Sequence, residues 1–134
     1  MPIDIEKSYD FPFPRERVYA AWVSSDTVIP PATSMDVDPT VGGHYRLRVR
    51  NDEWDVPNEG RFLAVDPAKH LRYTWEWNND GKVTEIDVRF EETPEGTRIT
   101  LLHSGFTDQE SADNHSQGWD SYFPGLAAHI AAQG

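Results

Sequence analysis

Apolar and polar residues alternate along most of the chain, which is the pattern of strands with one buried face. The first alternating stretch is "IDIEKSYDF", at residues 3–11. Six further stretches follow. One of them is the segment "WDVPNEGRFLAVDP", which is broken by Pro57 and Gly60. The other five place these residues on one parity: Met35 and Val37; Tyr45, Leu47 and Val49; Leu71, Tyr73, Trp75 and Trp77; Ile86, Val88 and Phe90; and Ile99, Leu101 and His103. Because short turns such as "NNDGK" separate these strands, we expect them to pair antiparallel.

Two other stretches have helical spacing. The first begins at Pro14, which suits a first helical turn, and places Val18, Ala21 and Trp22 on one face. The second runs from Asp108 to Ala131, about 36 Å at 1.5 Å per residue. A capping box of Thr107 and Glu110 is expected to open it.

These elements predict an α+β fold. A curved antiparallel sheet of six to seven strands has one apolar face that must be covered, and the C-terminal helix is the element long enough to cover it. The short helix follows strand 1. A sheet that curls around a single helix need not close fully, so a cavity lined by large side chains can remain between them.

Charge and composition narrow the partners. The 134 residues fit one domain and carry a formal net charge of −11 with no cysteine. Such a surface repels phosphate backbones and anionic lipid, so neither nucleic acid nor a membrane is an expected partner. Arg46, Arg48 and Arg50 alternate along one strand, where acidic strands could face them in a solvated ladder. We expect a cytoplasmic protein; Trp54 or the edge strand could support a homodimer.

The chemistry-bearing residues are few. His103 lies on the inward parity, where it could be a polar anchor, a general base, or a core histidine with an ordinary hydrogen bond. The five histidines show no HxH or HExxH pattern, so no metal site is predicted, and no cofactor is expected.

The aromatic residues exceed what one helix on one sheet needs, although each could be ordinary core. Gly60 and Gly118 could permit close backbone approach or leave open volume. The candidate ligand-binding residues share the inward parity of the strands or the sheet-facing side of the helix, and they are Met35, Tyr45, Leu47, Phe62, Tyr73, Trp75, His103, His115, Trp119 and Phe123.

Four motifs, "VGGHYRL", "EGRFLAVDPAKHLRYTWEW", "GTRITLLHSGF" and "QGWDSYFPGLAAHI", resemble bacterial proteins related to the activator of the ninety-kilodalton heat-shock protein ATPase. That family belongs to the START-like, birch-pollen-allergen-like (SRPBCC, helix-grip) superfamily. The resemblance implies a single ligand-binding domain over residues 1–134 with an internal hydrophobic cavity. Relatives often carry Trp-Trp-x-Pro after the first helix, whereas "TVIPPATSMDVDP" here has no tryptophan. The resemblance therefore carries no ligand identity.

Three functions follow as hypotheses. The first is non-catalytic binding of a small hydrophobic or aromatic molecule in the cavity between sheet and helix. The second is a cyclase or hydrolase that uses the same cavity, with His103 as acid and base. The third, implied by the family resemblance, is a chaperone-regulating interaction module.

Overall fold

A computed structural model describes residues 3–29, 32–50, 52–53, 55–78 and 81–132. These ranges contain seven strands and two helices. In chain order they are β1 (Ile3–Phe11), α1 (Arg15–Trp22), β2 (Ser34–Val37), β3 (His44–Arg50), β4 (Asp55–Asp66), β5 (His70–Trp77), β6 (Val83–Thr93), β7 (Gly96–Phe106) and α2 (Gln109–Ala132). Within these ranges, neither helix is long and apolar enough to cross a membrane.

The seven strands form one antiparallel sheet in the order β1-β7-β6-β5-β4-β3-β2. Strands that are consecutive from β2 to β7 are neighbours, and β1 joins the end by pairing with β7. Buried and accessible positions alternate along β6 and β7, so one face of the sheet packs inward. The predicted helix-grip fold is confirmed: the curved sheet lies against the long C-terminal helix, with the short helix after β1.

The outer face of the sheet carries a ladder of opposite charges. Arg46 on β3 reaches Glu59 on β4 at 3.0 Å, and Arg98 on β7 reaches Asp10 on β1 at 2.9 Å. Arg48 pairs with Asp55 at 3.2 Å. The predicted solvated ladder is therefore present. Because these pairs are exposed, each contributes little to stability.

Strand β4 corrects one expectation: it continues unbroken through Pro57 and Gly60. Pairing of β4 with β5 begins at Asn58, so among the described strands Pro57 pairs with β3 alone and lies at a local edge, where a missing N–H is tolerated. At Gly60 an added Cβ would lie 1.6 Å from the carbonyl oxygen of Thr74. Gly60 therefore permits close backbone approach and does not create open volume.

Helix α2 starts one residue later than expected, and its cap differs from the predicted Thr107–Glu110 box. The backbone N–H of Ser111 donates to the Asp108 carboxylate at 3.0 Å, so Asp108 is the N-cap. At the other end Arg17 of α1 donates to the carbonyl of Ile130 at 2.7 Å. A guanidinium at a helix C-terminus satisfies an orphan carbonyl and favours the helix dipole. Both ends of α2 are therefore held by side-chain hydrogen bonds.

Two sequence-based interpretations fall partly on residues outside the described ranges. The "NNDGK" hairpin joins β5 to β6 as expected, but Asn79 and Asp80 lie outside the described residues, as does Trp54. The homodimer therefore stays a prediction.

The two glycines of α2 give a matched test of how tightly the helix is packed. An added Cβ meets nothing within 4 Å at exposed Gly118, whereas at Gly125 it would lie 2.6 Å from Cγ2 of Ile29. Gly118→Ala should raise the free energy of unfolding by about 0.5–1 kcal/mol through helix propensity alone. Gly125→Ala should lower the free energy of unfolding, because the clash with Ile29 outweighs the gain in helix propensity. Urea unfolding measures both, and equal stabilisation by the two changes would contradict the packing of Ile29 on α2.

Candidate functional site

Aromatic rings from the sheet and from α2 meet in the space that α2 covers. On the sheet side, Tyr45 of β3 stacks on Tyr73 of β5 with centroids 4.8 Å apart. On the helix side, Trp119 stacks on Phe123 at 5.9 Å. Five of the predicted residues are buried: Tyr45, Phe62, Tyr73, His103 and Phe123. Trp75, Trp119 and Met35 are partly buried and pack against the same core.

Leu47 differs from the other predicted residues. It is half-buried, pairs with Met35 across the β2–β3 ladder, and gives its carbonyl to the side-chain amide of Asn58 at 3.3 Å. Its position is near the β2 edge of the sheet, so its described contacts support strand pairing.

Trp22 of α1 is a central member of the cluster that the sequence analysis did not place there. Its ring stacks on Trp119 at 5.8 Å with an interplanar angle of 17°, and meets Tyr122 edge-on at 5.2 Å. Its indole N–H donates to the Tyr73 hydroxyl at 3.2 Å. The signal in the sequence was only its helical spacing with Val18 and Ala21, which is equally typical of core.

His103 is fully buried and uses both ring nitrogens. Trp119 Nε1 donates to His103 Nδ1 at 3.1 Å, and His103 Nε2 lies 2.7 Å from Thr84 Oγ1. Because an indole N–H can only donate, Nδ1 must accept, and the ring proton of the neutral imidazole is on Nε2. The Thr84 hydroxyl then donates to the carbonyl of Trp75 at 3.2 Å. These three hydrogen bonds form a chain that runs from Trp119 on α2 to the backbone of β5.

The environment keeps His103 neutral. Burial, with the neighbouring His115 as a smaller cause, lowers its pKa from 6.5 to about 3. Protonation would also turn Nδ1 into a donor that faces the donor of Trp119. A base with both nitrogens occupied and so low a pKa is a poor match to acid–base work at neutral pH. These contacts are those of a core histidine.

A second Trp–His pair lies beside the first. Trp75 Nε1 donates to His115 Nε2 at 3.2 Å, so the proton of the neutral ring is on Nδ1, which donates to the carbonyl of Ser111 at 2.8 Å. The rings of His103 and His115 are 5.4 Å apart. The two tryptophans therefore join sheet and helix through histidines in opposite tautomers.

A cleft opens at this end of the sheet–helix interface. Its aromatic walls are Trp75, Trp77, Phe106 and His115, and its rim carries Lys82 and Asp108. The cleft has a volume of about 20 Å³, which holds one water molecule. It is far below the roughly 300–1,000 Å³ of ordinary small-molecule pockets. The rings of the cluster occupy the space that the sequence analysis expected to be open.

The sequence matches the family model described as "Activator of Hsp90 ATPase homolog 1-like protein" over residues 12–131. The chain belongs to this family. No curated protein matches the sequence.

Solved structures agree with the fold. A protein of Chromobacterium violaceum is 22% identical with a TM-score of 0.82, and 95% of this chain and 96% of that chain are covered. An AHSA1-like protein from Aeromonas hydrophila is 20% identical with a TM-score of 0.80, covering 98% and 94%. Ara h 8.0201 is 15% identical with a TM-score of 0.80, covering 98% and 99%. Identities this low show a shared fold alone, here the START-like helix-grip fold.

The two Trp–His pairs should differ in their contribution to stability. Trp119→Phe removes the donor to a fully buried imidazole and should lower the free energy of unfolding by about 2–4 kcal/mol. Trp75→Phe leaves a half-buried His115 that water can reach, so the expected loss is about 1–2 kcal/mol. Chemical denaturation of both variants measures the difference. A smaller loss for Trp119→Phe than for Trp75→Phe would contradict the buried chain.

The lowered pKa of His103 also predicts a pH dependence. Between its two pKa values His103 binds a proton in the unfolded state, where its pKa is near 6.5, but not in the folded state, where its pKa is about 3. Stability should therefore fall as pH drops below about 6.5, with a slope of up to about 1.4 kcal/mol per pH unit. His103→Gln, which cannot titrate, should lack that component between about pH 6.5 and 4. Identical pH profiles of the two proteins would contradict the assignment.

Proposed function

We propose that this protein binds a small aromatic or hydrophobic molecule between the sheet and α2, without catalysing a reaction on it. The observation that supports the proposal is the aromatic cluster itself, built from both sides of the interface and reached through the cleft at Trp75, Phe106 and His115. Stacked and edge-on rings recognise flat apolar molecules well. The family and the fold are consistent with such binding.

The small volume of the cleft sets the mode of binding. Because about 20 Å³ is open, a ligand of even ten heavy atoms must displace side chains. Trp77 on the cleft wall is 42% exposed, so it can move at little cost, and Trp119 is only partly buried. The displacement of these side chains offsets part of the binding free energy, so we expect modest affinity and an association rate below the diffusion limit.

The polar groups of the cluster favour binding over chemistry. Both nitrogens of His103 already have partners, and so do both nitrogens of His115. Neither imidazole has a lone pair or proton left for a substrate unless one of these partners first moves away. Binding also displaces side chains, but it needs no free imidazole nitrogen, whereas the enzyme hypothesis does.

The test is an NMR titration with a flat hydrocarbon, 2-isopropenylnaphthalene, which follows the tryptophan indole N–H signals. The signals of Trp75 and Trp119 should shift together along one saturable curve, because their donor bonds lie in the interface. Amides of Leu63 and Leu102, which are exposed, serve as the control and should stay fixed. Indole signals that do not move up to the solubility limit of the probe would contradict the proposal.

A further inference from the structure

His115 is the more accessible of the two histidines that bind tryptophans across the sheet–helix interface. It is half-buried and lines the cleft together with Trp75, Trp77 and Phe106, whereas His103 is fully buried. The cleft has room for one water molecule beside these side chains. A proton from solvent therefore reaches His115 more easily than His103.

The hydrogen bonds of His115 depend on its being neutral. Its Nε2 accepts the indole N–H of Trp75 at 3.2 Å, and its Nδ1 donates to the carbonyl of Ser111 at 2.8 Å. A charged imidazole donates from both nitrogens. Protonation of His115 therefore keeps the bond to Ser111 but places an N–H against the N–H of Trp75, and two donors cannot bond to each other.

The titratable groups that line the cleft or contact the His115 ring, among the described residues, are Asp108, Lys82 and His103. The pKa of Asp108 is lowered, chiefly by the backbone N–H of Ser111, so this carboxylate stays ionised and favours a charged His115. Lys82 opposes that charge, but it lies 4.0 Å from an Asp108 oxygen, which offsets its effect. His103 carries no charge in mild acid, because burial lowers its pKa to about 3.

The second Trp–His pair stays intact in the pH range where an ordinary imidazole takes up a proton. Trp119 Nε1 donates to Nδ1 of the neutral His103 at 3.1 Å, and this bond is lost only when His103 is protonated. The buried pair therefore holds α2 on the sheet while the accessible pair can separate. Trp75 is only partly buried, so its indole N–H can exchange the imidazole for water.

From these contacts we propose that the hydrogen bond between Trp75 and His115 is a pH-sensitive closure of the cleft: protonation of His115 releases Trp75 and opens the cleft to the ligand. The inference rests on the proposed function and adds how access to the same site is regulated. Because imidazoles change charge between about pH 8 and 5, mild acid should open the cleft.

The test follows the indole N–H signals of Trp75 and Trp119 by NMR between about pH 8 and 5, without ligand. The Trp75 signal should shift along a one-proton curve with the same midpoint as the His115 ring signals, and the Trp119 signal should stay in place. Protection of the Trp75 N–H from exchange with water, relative to free indole at the same pH, should fall at least about five-fold, the factor for one neutral hydrogen bond.

Two histidine variants separate the contact from a general effect of acid. The side-chain oxygen of His115→Gln can still accept from Trp75 but does not take up a proton in this range, so the Trp75 signal and its protection should lose their pH dependence. His70 bonds to Asp87 at 2.9 Å and does not line the cleft. His70→Gln is therefore the matched control and should behave as the wild type does.

Three results would overturn the inference. The first is a Trp75 signal that does not follow His115, or that follows pH equally in His115→Gln. The second is a shift of the Trp75 signal without loss of protection, because the contact then stays closed. The third is loss of Trp119 protection in step with Trp75, because the whole interface then opens and not the cleft alone.

A kinetic measurement connects the opening to binding. The association rate constant of 2-isopropenylnaphthalene should rise at least about five-fold from pH 8 to pH 5 in the wild type and stay constant in His115→Gln. Equal rates in the wild type at both pH values would overturn the inference while the proposed function stands. Absence of binding at both pH values would contradict the proposed function, and the indole signals then decide on their own whether the cleft opens.

Discussion

Trp119 connects the three parts of the molecule on which the site depends. Its indole N–H donates to His103 on β7, one face of its ring stacks on Trp22 of α1, and it packs on Phe123 one turn further along α2. The sheet has one apolar face and a single long helix to cover it, so the position of that helix fixes the interior. A single residue that bonds to the sheet and stacks on the other helix sets that position.

The same contact closes the interface and leaves its rings some freedom to move. The hydrogen bond from Trp119 is buried and directional, whereas ring stacking tolerates small rotations at little cost. An interior built from rings can therefore rearrange without losing its hydrogen-bonded frame. The charged pairs on the outer face of the sheet are exposed and contribute little to this balance.

The fold followed from the sequence because period-2 alternation and one long helical pattern leave few architectures. The inward direction of His103 followed for the same reason. The position of the α2 cap did not, because Thr107 and Asp108 both suit an N-cap and only backbone geometry decides between them. The role of Trp22 was not predictable either, since helical spacing shows that a residue is inward but not which ring it meets.

The largest difference between the sequence-based expectation and the structure is whether the interior is open or filled. Large aromatic residues together with glycines suggested open volume, but Gly60 admits a neighbouring carbonyl and Gly118 faces outward. Whether rings enclose a space or fill it depends on how they interdigitate, which pattern analysis does not contain. The tautomers of the two histidines likewise depend on three-dimensional contacts.

The most direct measurement of the central claim is a crystal structure of the protein with the flat probe 2-isopropenylnaphthalene bound. We expect the ring system of the probe to lie between α2 and the sheet, with the nearby tryptophan rings displaced. Density for the probe only on the outer surface, with the aromatic interior unchanged, would contradict the proposal.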